Sequence, residues 1–191
     1  NTNIDNYEIS KQEGTLTVTN REAKYEITVK ANSATATYDG KEHEAVGVET
    51  YEFTVEGNSY TVSGLSTEDP KQKDAGSYTN NITGTPVVTD KEGNVVTSEF
   101  EVKTENGSLE IGKAAVTLKS ATLSKKYDGN ALVNGDTALE IESGFAEGEG
   151  ATYNFTGSQT VVGSSANAFS YELNSNTNID NYEISKQEGT L

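Results

Sequence analysis

The chain has no cysteine, methionine or tryptophan, and only one histidine and two prolines among 191 residues. Without cysteine, neither a disulfide framework nor a thiolate nucleophile or metal site can form. The single histidine, His43, has no second imidazole with which to build a zinc site, and the chain has no Gly-x-Ser-x-Gly elbow to supply the nucleophile of a catalytic triad. We therefore interpret His43 as a solvated residue, and we expect no enzymatic activity and no cofactor.

Positive charge and long apolar runs are also scarce. The chain carries 14 Lys and Arg against 30 Asp and Glu, a net charge of −16. This charge repels phosphates and anionic lipid head groups, so we expect no nucleic-acid partner. No apolar run approaches the roughly 20 residues needed to span a bilayer, so we expect no membrane insertion of this segment.

What the chain does have is repetition. Asn1 to Leu16 and Asn176 to Leu191 are identical, at an offset of 175 positions, and Tyr38-Asp39-Gly40 returns as Tyr127-Asp128-Gly129 at an offset of 89. Self-similarity at a fixed period is the signature of repeat architectures. We therefore expect a segment of a tandem array built from two divergent modules.

The repeats divide the chain into three parts. Residues 1–20 are expected to be the last strands of a preceding module, forming a hairpin that pairs with a neighbour. Residues 21–112 would be the first full module, and residues 113–191 a second. Each module ends in a similar triplet, Gly107-Ser108-Leu109 and Gly189-Thr190-Leu191. In the array, the second module is expected to continue with the Thr-Val pair seen at Thr17-Val18.

Hydrophobic periodicity predicts an all-β fold. Apolar residues alternate with polar ones in short runs such as Tyr25-Ile27-Val29, and no stretch shows helical spacing. About seven short strands per module, separated by regular turn signals, are typical of an immunoglobulin-like β-sandwich. The prediction is two tandem sandwich modules in an elongated arrangement. The alternative is a small open or partly barrelled sheet, similar to a β-grasp.

The Tyr-Asp-Gly motifs and the closing triplets carry a family resemblance. The chain resembles the YDG-type, or MBG-type, tandem repeats of large adhesins on Gram-positive bacteria. The second module supports this with residues 147–153, Thr156-Gly157-Ser158-Gln159-Thr160 and Val162-Gly163-Ser164, whereas Ser66 to Lys73 of the first module departs from it. The resemblance implies an extracellular, cell-wall-attached protein whose repeats form a stalk, and it supplies no catalytic residues.

Several alternatives remain open at this point. Acidic stretches such as Glu147-Gly148-Glu149 and Asp90 to Asn94 could bind Ca²⁺ weakly, although neither has the spacing of an EF-hand loop. Tyr38 and Tyr127 are expected to pack beside their turns, with sugar stacking as the alternative. The expected partners are neighbouring repeats of the same chain. A host glycan or protein would bind through other domains or, in the alternative, through each module as an adhesive unit.

Overall fold

The computed structural model describes residues 4–19 and 23–191. Within these ranges the chain is all β, as predicted, with three 3₁₀ turns and no α-helix. The turns are η1 (Ile4–Asn6), η2 (Thr97–Glu99) and η3 (Ile179–Asn181). The strands are β1 (Tyr25–Lys30), β2 (Ala34–Thr37), β3 (His43–Glu44), β4 (Glu52–Val55), β5 (Asn58–Thr67), β6 (Lys71–Gln72), β7 (Gly76–Asn80), β8 (Ile82–Asp90), β9 (Phe100–Glu105), β10 (Gly107–Gly112), β11 (Ala114–Lys119), β12 (Leu132–Val133), β13 (Ile141–Ser143), β14 (Ala151–Phe155), β15 (Ser158–Gln159), β16 (Phe169–Leu173) and β17 (Tyr182–Gln187).

The strands form several small sheets of two or three members, and none of them closes into a barrel. Among the described residues, β1 to β10 pair only with one another, and β11 to β17 pair only with one another. We therefore refer to residues 23–112 as the N-terminal half and to residues 113–191 as the C-terminal half. Only Lys113 separates β10 from β11.

The first and last segments of the N-terminal half run parallel to each other. β1 pairs with β9 from Tyr25 opposite Phe100, and β2 pairs with β10 from Ala34 opposite Leu109, both at a separation of 75 positions. The register is therefore continuous from β1 through β2. Side chains alternate along these strands, so that Ile27 and Val29 point into the core and their neighbours point outward.

The C-terminal half repeats this arrangement. β11 pairs with β17 in parallel, with Ala114 opposite Tyr182 and a separation of 68 positions. The pairing extends past the strands, because the Leu123 amide donates to the Thr190 carbonyl at 2.9 Å. Both halves are therefore organised around one parallel contact between their first and last segments.

A buried asparagine occupies equivalent positions in the two halves. Asn80 and Asn167 are both fully buried. The Asn80 amide donates to the Asn32 carbonyl at 3.2 Å, and the Asn167 amide donates to the Ala121 carbonyl at 2.9 Å. Asn32 and Ala121 are 89 positions apart, which is the offset of the Tyr-Asp-Gly motifs. This shared contact supports the alignment of the two halves.

The glycines of the closing triplets lie against the same two backbone segments. A Cβ at Gly107 would come within 2.1 Å of the Asn32 carbonyl oxygen, and one at Gly189 within 2.4 Å of the Ala121 oxygen. Leu109 and Leu191, two positions further on, are both buried. The last segment of each half therefore needs a glycine so that it can approach the first segment closely.

Two hydrophobic clusters form the core. One lies within the N-terminal half around Val29, Val62, Val88 and Phe100. The other combines residues of both halves; its buried members are Tyr38, Ala45, Leu109, Ile111, Ala114, Val116, Leu118, Phe169 and Tyr182. Burying a side chain such as Leu or Val stabilises a fold by about 1.5–3 kcal/mol. Burial of apolar surface therefore holds the two halves together.

The predicted N-terminal hairpin is wrong within the described residues 4–19. This segment forms the η1 turn and no strand, and Tyr7 and Ile9 are 62% and 71% exposed. The physical reason is the absence of a partner strand, because a two-stranded hairpin alone is marginally stable in water. Val95 and Val96 form no strand either, and Val95 makes only an isolated bridge to Thr89.

Replacing Gly107 with Ala should destabilise the chain. The new Cβ would collide with the Asn32 carbonyl, and overpacking of this kind costs about 1–3 kcal/mol. Gly112→Ala on the same strand is the matched control, because its Cβ would lie 3.7 Å from the nearest atom, an ordinary contact. Chemical denaturation measures both variants. Equal stabilities would contradict the close approach at Gly107.

Candidate functional site

The two Tyr-Asp-Gly motifs, Tyr38–Gly40 and Tyr127–Gly129, form the same tight turn. In each, the Asp carboxylate accepts a hydrogen bond at 2.9 Å from the amide two residues further on. The glycine that follows has a φ of +79° at Gly40 and +81° at Gly129. Glycine is favoured there because a side chain strains this left-handed conformation. The motif therefore encodes a local turn that does not depend on its surroundings.

The tyrosines of the two motifs lie in different environments. Tyr38 is 4% exposed, whereas Tyr127 is 67% exposed. The packing that was expected beside both turns is therefore present at Tyr38 and absent at Tyr127. The difference arises because Tyr38 packs against the C-terminal half.

A buried carboxylate connects Tyr38 to the C-terminal half. The Tyr38 hydroxyl donates to Glu149 Oε1 at 2.6 Å, and the Tyr182 hydroxyl donates to Glu149 Oε2 at 2.8 Å. The rings of Tyr38 and Tyr182 meet edge to face, with centroids 5.3 Å apart. Lys73 Nζ lies 3.9 Å from the same carboxylate. Glu149 thus has charged and hydrogen-bonding partners, as a buried acid requires.

Asn181 forms a second connection beside the first. Its amide nitrogen donates to Asp74 Oδ1 at 2.9 Å, and its amide oxygen accepts from the Ala75 amide at 2.8 Å. Asn181 is 2% exposed and belongs to the η3 turn immediately before Tyr182. We call these contacts between the halves the joint; its residues are Tyr38, Lys73, Asp74, Ala75, Glu149, Asn181 and Tyr182.

The joint changes the acidity of its phenols. Burial, followed by the hydrogen bond to Glu149, raises the pKa of Tyr38 well above its usual range. Burial likewise raises the pKa of Tyr182. Both tyrosines therefore stay protonated and serve as hydrogen-bond donors. Two phenols that donate to one carboxylate form a contact between the halves.

His43 and the acidic loops have ordinary local partners. His43 Nε2 lies 3.0 Å from Asp39 Oδ1, at the surface of the turn. The amide of Lys41, and then His43, hold the pKa of Asp39 below its usual value. The Asp90 carboxylate accepts two hydrogen bonds from Asn94, which also lower the pKa of Asp90. These carboxylates are engaged by their own turns.

No group of three or more His, Asp or Glu residues within residues 4–19 and 23–191 is placed to hold a metal ion. Of the two acidic stretches considered as calcium loops, one contains Glu149, which faces the joint instead. None of the helical turns in these ranges is long and apolar enough to cross a bilayer.

The sequence motifs identify only part of the joint. Tyr38 was singled out by its recurrence, whereas Asp74, Glu149 and Asn181 were not assigned to a site with it. Glu149 lies 111 positions from Tyr38, so no local spacing reveals the contact. The sequence offers one signal for the joint, which is that Asn181 and Tyr182 belong to the duplicated 16-residue string.

Tyr38→Phe should lower the free energy of unfolding by about 1–3 kcal/mol, because it removes a hydrogen bond to a buried carboxylate. Tyr127→Phe is the matched control from the repeat, and its exposed hydroxyl should leave stability within about 0.5 kcal/mol of wild type. Urea denaturation gives both values. The same loss in both variants would argue against the joint.

Stability should also fall at alkaline pH. The pKa values of Tyr38 and Tyr182 are raised in the folded chain, whereas an unfolded tyrosine titrates near about 10. As pH rises through about 10, the unfolded chain loses protons that the folded chain retains, so unfolding becomes more favourable. Tyr38→Phe should make this decline shallower between pH 9 and about 11.5 in thermal unfolding. An unchanged slope would contradict the assignment.

Comparisons of the chain with protein-family models, with curated protein sequences and with solved structures gave no match. We therefore infer its function from the joint, the parallel strand pairs and the sequence repeats.

Proposed function

We propose that the chain is a structural spacer of a large bacterial cell-surface adhesin, part of a stalk that holds a distal binding domain away from the cell wall. The observation that carries this proposal is the parallel pairing of the first and last segments in both halves. The internal repeats and the family resemblance supply the cellular setting. The finer architecture of the proposal is two tandem immunoglobulin-like modules, residues 21–112 and 113–191, surrounded by neighbouring repeats.

Parallel pairing determines where the chain enters and leaves each half. Two parallel strands begin at the same end of their pair. The chain therefore enters the N-terminal half at the Tyr25 end and leaves it at the opposite end, at Gly112. Likewise it enters the C-terminal half at Ala114 and leaves at the Leu123–Thr190 end. A pull along the chain consequently acts lengthwise on each parallel pair.

This geometry suits a load-bearing role. When parallel strands are pulled from opposite ends, the ladder is sheared and its hydrogen bonds share the load. When both strands are pulled from the same end, the bonds break one after another. Resistance to forced unfolding is governed by the unfolding rate. A load that is shared by all the bonds lowers the unfolding barrier less than a load that falls on one bond at a time. A stalk under tension needs this property.

The connection between the halves passes a pulling force directly from one half to the other. Lys113 is the single residue between β10 and β11, so the exit of one half is the start of the next. The joint lies at the same place, because Tyr38 follows β2 and its amide donates to the Gly112 carbonyl at 2.8 Å. A short connector with packed side chains limits bending far more than a flexible linker does.

The adhesive alternative has less support. If each half bound the same host glycan or protein, equivalent aromatic residues would be exposed in both. Tyr38 is buried in the joint where Tyr127 is exposed, so the two halves do not present the same aromatic surface. Tyr51 and Tyr60 pack against the N-terminal cluster.

Single-molecule pulling should distinguish shearing from peeling in the C-terminal half. The chain has no cysteine, so introduced pairs provide unique handles. Lys113→Cys with Gln187→Cys pulls β11 and β17 from opposite ends, whereas Lys113→Cys with Glu183→Cys pulls them from the same end. All three positions are exposed.

We expect a higher unfolding force for the Lys113–Gln187 pair than for the Lys113–Glu183 pair, because only the first loads the whole ladder at once. Thermal unfolding of both double variants is the control for changes in overall stability. Equal forces in the two geometries would overturn the spacer proposal.

A further inference from the structure

A groove of about 180 Å³ lies beside Tyr127, at the end of the C-terminal half opposite the joint. It is lined by Ser124, Lys125, Tyr127 and Leu132, by residues 159–163, and by Leu191. Three of its apolar side chains are open to solvent, since Tyr127, Val161 and Val162 are 67%, 71% and 85% exposed. Exposed apolar side chains that line a groove indicate an interaction site.

In the N-terminal half the corresponding space is filled by β10. Its residues from Leu109 to Gly112 pair in parallel with Ala34–Thr37, and its residues from Gly107 to Ile111 pair antiparallel with Gly76–Asn80. Ile111 is 3% exposed between these two neighbours. The strand thus fills a slot with a hydrogen-bonding edge on each side.

In the C-terminal half the equivalent pairing stops at Leu191. The amide of Leu191 donates to the Ser165 carbonyl at 2.8 Å, and Leu191 accepts from the Ser165 amide at 3.0 Å. Leu191 therefore stands where Leu109 stands, with Ser165 at its antiparallel edge. Residues 120–128, which correspond to the segment containing β2, form no strand. The groove begins where the next three residues of such a strand would lie.

The sequence itself contains a segment that fits this space. In the first copy of the duplicated string, Leu16 stands in the place of Leu191 and is followed by Thr17-Val18-Thr19. Val18 then falls at the position of Ile111, and Thr19 at that of Gly112. Thr and Val favour strands, and the segment adds no charge to a strongly acidic chain. Val18 is 98% exposed where it stands and so is not already part of a core.

We propose that the groove is a strand-acceptor site, and that its occupant is Thr17-Val18-Thr19 of a second copy of this sequence, joined through the shared 16-residue string. This inference rests on the proposed array. The added strand pairs with residues 124–126 on one side and residues 163–164 on the other, and the side chain of Val18 covers the exposed apolar surface. Strand addition to open sheet edges is a general mode of peptide recognition.

One hydrogen bond distinguishes the filled groove from the open one. In the N-terminal half the Tyr38 amide donates to the Gly112 carbonyl. In the filled groove, the Tyr127 amide donates to the Thr19 carbonyl in the same way. Protection of this amide therefore reports whether the groove is filled in the expected register.

The experiment uses the full chain extended after Leu191 by Thr-Val-Thr. The matched control carries Thr-Asp-Thr, which has the same length but places a charge where the valine should be buried. Hydrogen exchange should slow at the Tyr127 amide by roughly tenfold or more in the first chain, because a paired strand amide opens rarely. The first chain should also have a higher unfolding temperature than the control.

Equal exchange at Tyr127 in the two extended chains would overturn the groove proposal and leave the spacer function untouched. Equal unfolding forces in the two pulling geometries would instead overturn the spacer proposal, and slower exchange in the Thr-Val-Thr chain would still establish the strand-acceptor site. The two failures are therefore distinguishable.

Discussion

The parallel contact between the first and last segments of each half is the constraint on which the other features depend. A parallel pair cannot be closed by a short hairpin, so the whole intervening chain serves as its crossover. The separations of 75 and 68 positions differ, yet the same contact forms in both halves. Loops and hairpins between the paired segments can therefore change in length without altering where the chain enters and leaves. Glycine at positions 107 and 189 is the local requirement of this contact, because each lies against a backbone carbonyl.

The joint shows how a chain poor in apolar residues connects its parts. Hydrophobic residues make up 32% of the sequence, so apolar area alone is limited. The joint adds an edge-to-face pair of tyrosine rings and a carboxylate that accepts hydrogen bonds from two phenol groups. These contacts are directional, so they orient the two halves as well as hold them together. Breaking such a buried set is costly because the remaining partners stay desolvated. These side chains, together with the single-residue connector, fix the orientation of one half against the other, which is what the proposed spacer role requires.

Because the same 16-residue string occurs twice, its two copies show which structural features are encoded locally and which depend on tertiary contacts. Both copies form the same 3₁₀ turn, Ile4–Asn6 and Ile179–Asn181, so that turn is encoded locally. Only the second copy continues into a strand, where Tyr182 is 2% exposed while its counterpart Tyr7 is 62% exposed. The same residues thus adopt different structures according to whether β11 is beside them. Strand identity in this chain is a property of the pair rather than of the sequence segment.

The sequence by itself determined the all-β character, the absence of long helices, most strand positions and both Tyr-Asp-Gly turns, because alternation and hydrogen bonds two residues apart are local. It did not determine the N-terminal segment, where the predicted hairpin is absent, or the members of the joint. Only the tertiary structure brought Glu149 to Tyr38, across 111 positions, and buried one repeat tyrosine while leaving the other exposed. The physical reason is that burial and strand pairing depend on what lies opposite a residue, and a partner distant in sequence leaves no periodic trace.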